Sequence, residues 1–367
     1  MLADLEELVR CESFSADHEA VARSAEVVAG LGTRLLGTEP ETIVTDGVTH
    51  LRWVFGTPKV LLVGHHDTVW PMGSLRNHPW SVAQGIARGP GVLDMKAGLV
   101  QMLHALASLP SPDGVCVLIN GDEEVGSTTS RELIEESARG LTAALVLEAA
   151  ADANGTLKTA RKGTSRYEVV VRGRAAHAGQ EPHKGVNAAV EAAHQVLSIA
   201  AFGASTGGTG AAPSGLGHTT VTPTLLTAGS ARNTVPATAR VSVDVRVPTS
   251  AAQDRVDAYL RGLTARTPGA RLEVLGGRQR PPMEPESSAE LFALASRLAA
   301  ELGQEPLRGI AVGGASDGNC TAAVGCPTLD GLGAVGAGAH ADSEYVEVAW
   351  MVPRARLLAR LIDHLTR

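Results

Sequence analysis

The chain alternates short, continuous apolar runs with segments of helical periodicity, and this alternation restricts its fold more than any other feature. The runs KVLLVG, VCVLIN and AALVLE have the length and composition of strands that are buried on both faces. Helical patterns precede and separate them, as in residues 17–36, MKAGLVQMLHALASLP and SRELIEESARGL. Strands that alternate with helices predict an α/β domain with a mostly parallel sheet.

The pattern changes between residues 165 and 278. RYEVVVRGRA, TTVTPTLLTAG and ATARVSVDVRVP alternate apolar and polar residues, and GVNAAVEAAHQVLSIAA and AAQDRVDAYLRGLTAR are amphipathic. With RLEVLGG as a last strand, this β-α-β-β-α-β order is that of a ferredoxin-like α+β sheet. The Gly/Ser/Thr-rich segment 202–217 is predicted to be a flexible loop. We therefore predict one α/β domain, residues 1–164 and 279–367, split by an inserted domain at residues 165–278.

Charge and composition exclude several classes of function. The net charge is -7, so the chain has no net basic field to attract nucleic acid or anionic lipid, and 3% aromatic residues leave little surface for base stacking. The start of the chain lacks the basic and apolar segments of a secretory signal, and no apolar stretch is long enough to span a membrane. The four cysteines form no CxxC motif and fit reduced thiols. We expect a cytoplasmic protein without nucleic-acid or membrane partners.

Histidines and acids follow the apolar runs where the strands are expected to end, which is where functional groups gather in open α/β sheets. GHHD offers His65 as a metal ligand and Asp67 as the acceptor that fixes its tautomer. Taken alone, GHHD also fits two exposed histidines and a turn aspartate. GDEEVGS crowds Asp122, Glu123 and Glu124, which is costly unless a cation or solvent relieves the charge, and a solvated turn is the alternative.

Three further residues complete the candidate set. Asp94 in RGPGVLDMKAG precedes a helix, where N-capping is the usual role. Glu148 closes AALVLE, where an uncompensated carboxylate would be expensive to bury. His340 lies in the small-residue segment AGAHADSEYV. Two histidines and three carboxylates at strand ends or in loops suit two zinc ions that share an aspartate.

The ordered motifs GHHDTV, GPGVLDMKAG, GDEEVGS, LVLEAA, AAHAG and GAHADSEYV resemble those of the dinuclear zinc exopeptidase and deacylase family over essentially the whole chain. That family contains glutamate carboxypeptidases, acetylornithine deacetylase, succinyl-diaminopimelate desuccinylase and aminoacylases. GHHDTV and ARKGT are most similar to their counterparts in bacterial glutamate carboxypeptidases. The resemblance implies that the split domain is a zinc-exopeptidase-like catalytic domain. It also implies that the insert is a dimerisation, or lid, domain of a homodimer.

The resemblance further implies two metal sites that share one carboxylate. Asp94 would bridge the ions, His65 and Glu148 would complete one site, and Glu124 and His340 would complete the other. Two Zn²⁺ per chain are expected, with Co²⁺ or Mn²⁺ as alternatives that suit the same ligands.

The resemblance assigns catalysis to Glu123 as the general base, with Asp67 supporting His65. Two cations lower the pKa of a shared water and polarise the scissile carbonyl, while Glu123 takes the proton and returns it to the leaving amine. His66 is a bystander, because the family pattern is His, any residue, Asp. The alternative is that His66 replaces His65.

Four residues of the later motifs carry roles in the relatives. His177 in AAHAG would reach the active site of the partner subunit and stabilise the oxyanion, although alone it fits a loop histidine. Asn233 and Arg246 match positions that contact the substrate carboxylate, and an arginine fork pairs well with that group. Arg246 also fits the exposed member of an alternating edge strand. Gly314 lies in GGASD, which supplies backbone amides near the substrate in relatives.

These roles imply a metal-dependent amide hydrolase, similar to glutamate carboxypeptidase, that acts on a small amino-acid amide. An N-acyl-amino-acid deacylase is the alternative, since both hydrolyse an amide beside a free carboxylate. A non-catalytic binding relative is a further alternative, but it would be expected to lack Glu123 or a ligand. Glutamate-cleaving relatives carry an arginine just ahead of the GGASD turn, whereas this chain has Ala311 there and Arg308 three residues earlier. The amino acid and acyl group therefore stay open.

Overall fold

The computed structural model describes residues 1–206 and 215–367, which form two compact units. The helices are α1 (Leu2–Arg10), α2 (His18–Leu36), α3 (Ala97–Ala107), α4 (Arg131–Ala138), α5 (Ala188–Thr206), α6 (Ser250–Arg261), α7 (Ala289–Glu301), α8 (Asp317–Ala323) and α9 (Val348–Thr366). The strands are β1 (Glu41–Thr45), β2 (Val48–Phe55), β3 (Val60–His65), β4 (Ser81–Ala83), β5 (Ile86–Arg88), β6 (Val115–Asn120), β7 (Ala143–Val146), β8 (Leu157–Arg161), β9 (Gly163–Arg172), β10 (Thr220–Ala228), β11 (Thr238–Val247), β12 (Arg271–Arg280), β13 (Gly309–Val312), β14 (Thr328–Leu329), β15 (Gly336–Ala337) and β16 (Tyr345–Glu347).

The first unit comprises residues 1–160, 284–312 and 316–367. In this described part of the chain the main sheet has the strand order β1-β2-β6-β3-β7-β14. The pairs β6/β3, β3/β7 and β7/β14 are parallel, and β1 and β2 add an antiparallel margin. The predicted α/β class with a mostly parallel sheet is confirmed.

The apolar runs are continuous because helices cover both faces of this sheet. Leu62 of β3 belongs to one buried cluster with residues of α1, α2, α3 and α9. Leu61 and Val63, on the opposite face of the same strand, join a second cluster with Ile134 of α4 and Cys320 of α8. The parallel strands β3, β6 and β7 therefore end at one edge of a rigid sheet, and that edge carries the candidate residues.

The second unit comprises residues 161–283 and 313–315. Its described strands form an antiparallel sheet in the order β10-β11-β9-β12, which confirms the ferredoxin-like prediction. Valines of β9 and β11 pack with α5 and α6 in a separate core. The main-chain groups of Arg161 and Met283 bond to each other at 2.9 and 3.0 Å where the chain enters and leaves this unit.

Two local expectations are wrong. Helix α5 continues to Thr206, so the predicted loop at 202–217 begins too early. Phe202 stacks on Tyr259 of α6 with ring centroids 3.7 Å apart, and this contact favours a helical conformation at Phe202. Residues 207–214 of that predicted loop lie outside the described residues. Arg246 is not on an edge strand, because β11 lies between β10 and β9.

Among the described residues, no helix combines the length and the apolar character that crossing a bilayer requires.

Candidate metal centre

Asp94 lies between two histidines in the first unit. Its Oδ1 is 3.3 Å from Nε2 of His65, at the end of β3, and its Oδ2 is 3.2 Å from Nε2 of His340. Each histidine also faces a second carboxylate: His65 Nε2 is 3.5 Å from Glu148 Oε1, and His340 Nε2 is 3.3 Å from Glu124 Oε2. The five side chains thus form two ligand groups that share Asp94.

Local structure explains how these side chains meet. Glu124 follows β6 and Glu148 follows β7, so both lie at the edge where β3 places His65. Asp94 lies in an irregular turn, residues 92–96, which contains a cis peptide bond between Asp94 and Met95. Helix α3 begins only at Ala97 and receives no side-chain cap from its N-cap residue, so the N-capping alternative for Asp94 is wrong.

The cluster contains buried polar atoms without hydrogen bonds. Within the described residues, His65 Nε2, Asp94 Oδ1 and Glu124 Oε1 are inaccessible to solvent and have no hydrogen-bond partner. Such atoms are costly to bury, and imidazole nitrogen and carboxylate oxygen are ligand atoms that Zn²⁺ accepts. Ligand atoms of these three residues lie within 4.8 Å of one another. The donor set therefore fits a metal ion.

The electrostatics of the cluster favour positive charge. The carboxylates of Asp94 and Glu124 raise the pKa of His340 to about 10. Burial alone lowers the pKa of His65, but the neighbouring Asp67, Asp94 and Glu148 reverse that effect and raise it well above its usual value. Burial raises the pKa of Glu124 to about 7. A cation bound here would relieve the carboxylate repulsion that protonated histidines otherwise offset.

Asp67 holds the loop that carries the two glutamates. Its Oδ1 and Oδ2 accept hydrogen bonds from the backbone N–H groups of Glu123 and Glu124, each at 3.2 Å, and Oδ2 also accepts one from Ser15 Oγ at 2.7 Å. His65 Nδ1 lies 3.0 Å from the carbonyl oxygen of Asp67 and 3.3 Å from its Oδ1. Asp67 therefore contacts the inner side of His65 and aligns the 123–124 backbone.

Glu123 belongs to the same cluster. Its side chain is 8% exposed, and one of its carboxylate oxygens lies within 4.8 Å of ligand atoms of His65 and Glu148. At this distance the Glu123 carboxylate could act as a base that takes a proton from a water bound beside His65 and Glu148. It is also close enough to act as a metal ligand. Burial also excludes the solvated-turn alternative, because Asp122 is 1% exposed and accepts hydrogen bonds from Thr129 and Ser130.

His66 points away from the cluster. It is fully buried, its Nε2 lies 3.0 Å from the carbonyl oxygen of Thr49, and burial lowers its pKa to about 4. The alternative of two exposed histidines in GHHD is therefore wrong, and the structure gives the position beside Asp94 to His65.

The remaining predicted residues lie in the second unit. His177 is exposed, and its Nδ1 accepts hydrogen bonds from Gly179 N and Gln180 N at 3.2 and 3.1 Å, which leaves the proton of the neutral ring on Nε2. Asn233 lies next to the His177 segment, because the carbonyl oxygen of Asn233 accepts a hydrogen bond from Ala178 N at 2.9 Å.

Arg246 and Gly314 have other partners. Arg246 forms a two-pronged ion pair with Asp244 at 3.0 and 3.1 Å, in a shallow depression on the sheet surface. The carbonyl oxygen of Gly314 accepts a hydrogen bond from Arg161 Nη1 at 2.9 Å. Both side chain and turn are thus held in place before any substrate binds.

Sequence reasoning missed two residues beside the cluster. Lys158 lies on β8 with its Nζ 3.8 Å from Glu148 Oε2. The buried carboxylate of Glu344 bonds to the backbone of the turn that carries Asp94. Glu344 lies in AGAHADSEYV, but an acidic residue in a polar loop does not indicate that its hydrogen-bond partners are distant in the sequence.

Comparisons with known proteins identify the family of this chain. The family model "Peptidase family M20/M25/M40" matches residues 61–364. The chain is 30% identical to carboxypeptidase G2 from Pseudomonas sp. (strain RS-16), over 99% of this chain and 88% of that protein. It is 29% identical to succinyl-diaminopimelate desuccinylase from Acidiphilium cryptum, over 98% of this chain and 97% of that protein.

The fold has solved counterparts. An M20 family metallo-carboxypeptidase from Sulfolobus solfataricus superposes with a TM-score of 0.77 at 16% identity, covering 100% of this chain and 99% of that one. At that identity the likeness supports the fold, and the sequence matches carry the family assignment. The chain belongs to peptidase family M20/M25/M40 and is a metal-dependent hydrolase of that family.

Proposed function

We propose that the chain is a two-zinc amide hydrolase that releases a C-terminal amino acid from a small substrate. The observation that carries this proposal is the position of Asp94, whose two oxygens face two different histidine and carboxylate pairs. A carboxylate shared between two ligand groups suits a pair of ions that act on one water and one carbonyl.

His65, Glu148, Glu124 and His340 would hold the ions, with Asp94 shared between them. When bound, two zinc ions lower the pKa of a water and polarise the scissile carbonyl. Glu123 would take one proton from the attacking water, whose oxygen bonds to the carbonyl carbon, and would deliver that proton to the amide nitrogen as the carbon–nitrogen bond breaks. The products are a carboxylic acid and a free amine, and no further reactant is needed.

The residues of the second unit would recognise the substrate. Since Nδ1 of His177 accepts backbone hydrogen bonds, Nε2 is the ring nitrogen that would donate a hydrogen bond to a developing oxyanion. Arg246 and Asn233 would bind the free carboxylate of the substrate, with Arg246 held by Asp244 in the unliganded protein. The turn at Gly314 would contribute backbone amides to substrate binding.

The choice between carboxypeptidase and deacylase is open to direct test. Relatives of both kinds match nearly the whole chain. Purified protein should be assayed for metal content and against folate-type glutamates, N-acetylornithine, N-succinyl-diaminopimelate and other N-acyl amino acids. Turnover of a folate-type glutamate supports the carboxypeptidase, and turnover of N-acyl substrates alone supports the deacylase. Absence of turnover of every substrate with metal bound would overturn the proposed class of amino-acid amide substrates.

Metal removal is expected to lower stability as well as activity. Ions that bind only the folded state stabilise it by about 2.7 kcal/mol per site at a free concentration 100 times the Kd. Thermal melting of chelator-treated protein with and without added Zn²⁺ measures this effect. The control is Glu290→Gln, which removes one exposed acid of α7. Its metal-induced shift should equal that of the wild type, and equal melting with and without Zn²⁺ would argue against a resident ion.

We also propose a homodimer in the cytoplasm. Strand β10 is an edge of its sheet, and it exposes Leu225 and Leu226 to 67% and 52%. Leu197 of α5 is 68% exposed, so exposed leucines and a terminal strand of the described sheet lie in one unit. Such edges are usually covered in a stable assembly. The structure places none of the four cysteines in a disulfide bond, which fits a reducing compartment.

Mixed dimers test whether His177 acts across that interface. The variants His177→Ala and Glu123→Ala should each lose nearly all activity. Mixed after subunit exchange, they should recover up to about a quarter of wild-type activity, since random pairing yields half heterodimers, each with one intact site. No recovery in mixtures that do form heterodimers would place His177 in the site of its own chain.

A further inference from the structure

Glu344 is a buried carboxylate near the metal centre whose two oxygens are both hydrogen-bonded. Its side chain is fully buried, and its two oxygens accept four hydrogen bonds. Oε1 accepts from the backbone N–H groups of Leu93 at 2.8 Å and Asp94 at 3.1 Å. Oε2 accepts from Gly91 N at 3.0 Å and Trp70 Nε1 at 2.7 Å. Two donors on each oxygen match the roughly four lone-pair positions of a carboxylate.

The partners of Glu344 belong to separate segments of the centre. Gly91, Leu93 and Asp94 form the turn that presents the shared aspartate, and Trp70 follows the segment that contains Asp67. Glu344 itself ends the loop that presents His340, where its own N–H group donates to the carbonyl oxygen of Ala341 at 2.8 Å. One carboxylate therefore joins the loop of His340 to the turn of Asp94.

Both ends of this connection are rigid. Directly after Glu344, strand β16 pairs with β5 and β15. On the other side, Gly91 adopts a φ of +67°, and an added Cβ there would collide with the Thr68 side chain. The 91–94 turn cannot move away from Glu344 without breaking its hydrogen bonds to that carboxylate. The distance between Asp94 and His340 therefore depends on Glu344.

We propose that Glu344 is a positioning residue of the metal centre, which fixes Asp94 against His340 by accepting the backbone N–H groups of the 91–94 turn. The proposal rests on the two-metal function proposed above. Glu344 has no lone pair left for an ion or a substrate proton, so it acts through Asp94 alone. Its loss should loosen the shared ligand, and removing such supporting groups typically costs about 10–100-fold in metal affinity.

The variant Glu344→Gln tests this role at nearly constant volume. Its amide oxygen can replace one carboxylate oxygen, but its NH₂ group then faces two N–H donors. Titration of metal-free protein with Co²⁺ should show about 10–100-fold weaker binding and an altered visible spectrum of the bound ion. At saturating metal, kcat should recover in large part, because the general base is intact. Glu347→Gln, three residues later on β16, makes the same charge change and should bind Co²⁺ as the wild type does.

Three outcomes separate the hypotheses. A folded Glu344→Gln protein with wild-type Co²⁺ affinity and spectrum overturns the positioning role. If that variant does not fold, Glu344→Asp keeps the charge on a shorter side chain and should weaken Co²⁺ binding at least about threefold, whereas wild-type affinity again overturns the role. If the wild type binds no Co²⁺, the two-metal proposal itself fails.

Discussion

Replacing Glu123 with glutamine is expected to lower kcat by about 10²–10⁴-fold while two metal ions stay bound, since general-base catalysis contributes about that factor. Glutamine keeps the size and the backbone N–H bond to Asp67 but cannot take a proton from water. Steady-state kinetics and metal analysis on the same sample measure both quantities. We expect kcat to fall while the metal content changes little.

The neighbour Glu124 supplies the matched control. Glu124→Gln alters the adjacent acid, whose Oε2 faces His340, and should release metal as well as lower activity. The geometry makes this comparison necessary, because Glu123 also lies within ligand distance of His65 and Glu148. If Glu123→Gln lost an ion and Glu124→Gln kept both, the roles of the two glutamates would be reversed.

Asp94→Asn should have the largest effect on metal content. The substitution removes the negative charge of the carboxylate that contacts both His65 and His340, and it leaves a neutral amide facing the two histidines. Both sites should weaken, by more than the roughly 100-fold upper range for supporting residues. We expect fewer than one ion per chain after dialysis and no measurable turnover.

Glu148→Gln distinguishes a shared ligand from an ordinary one. Glu148 faces His65, whereas Glu124 faces His340, so the loss of Glu148 should release one ion and spare the other. Metal analysis of the two variants side by side gives the comparison. Two ions retained by Asp94→Asn, or equal losses in both variants, would contradict a bridging role for Asp94.

The architecture was predictable because the parallel strands β3, β6 and β7 are buried on both faces. Leu61 and Leu62 must both be apolar when they face different cores, and a continuous apolar run records that requirement directly. The ends of those runs also located His65, Glu124 and Glu148, because parallel strands bring their carboxyl ends to one edge. The order of strands in the sequence therefore predicted where much of the candidate site lies.

Other features depend on partners that are distant in sequence. The four donors to Glu344 come from residues 70 and 91–94, and no local pattern around residue 344 signals them. The strand pattern places Arg246 and Asp244 on the same face of β11, but their ion pair also depends on side-chain conformations that the sequence does not specify. The length of α5 depends on the stacking of Phe202 against Tyr259 of another helix, which outweighs the glycine and serine content of the segment.

The first unit is interrupted in sequence by the second, and this affects how the protein is made. The segments that carry His65, Asp94, Glu124 and Glu148 leave the ribosome early, whereas His340 and Glu344 follow after residues 161–283. At about 5–20 residues per second, synthesis from residue 148 to residue 340 takes roughly 10–40 s. During that interval the nascent chain holds one ligand group without the other, so the complete pair of sites forms only near the end of translation.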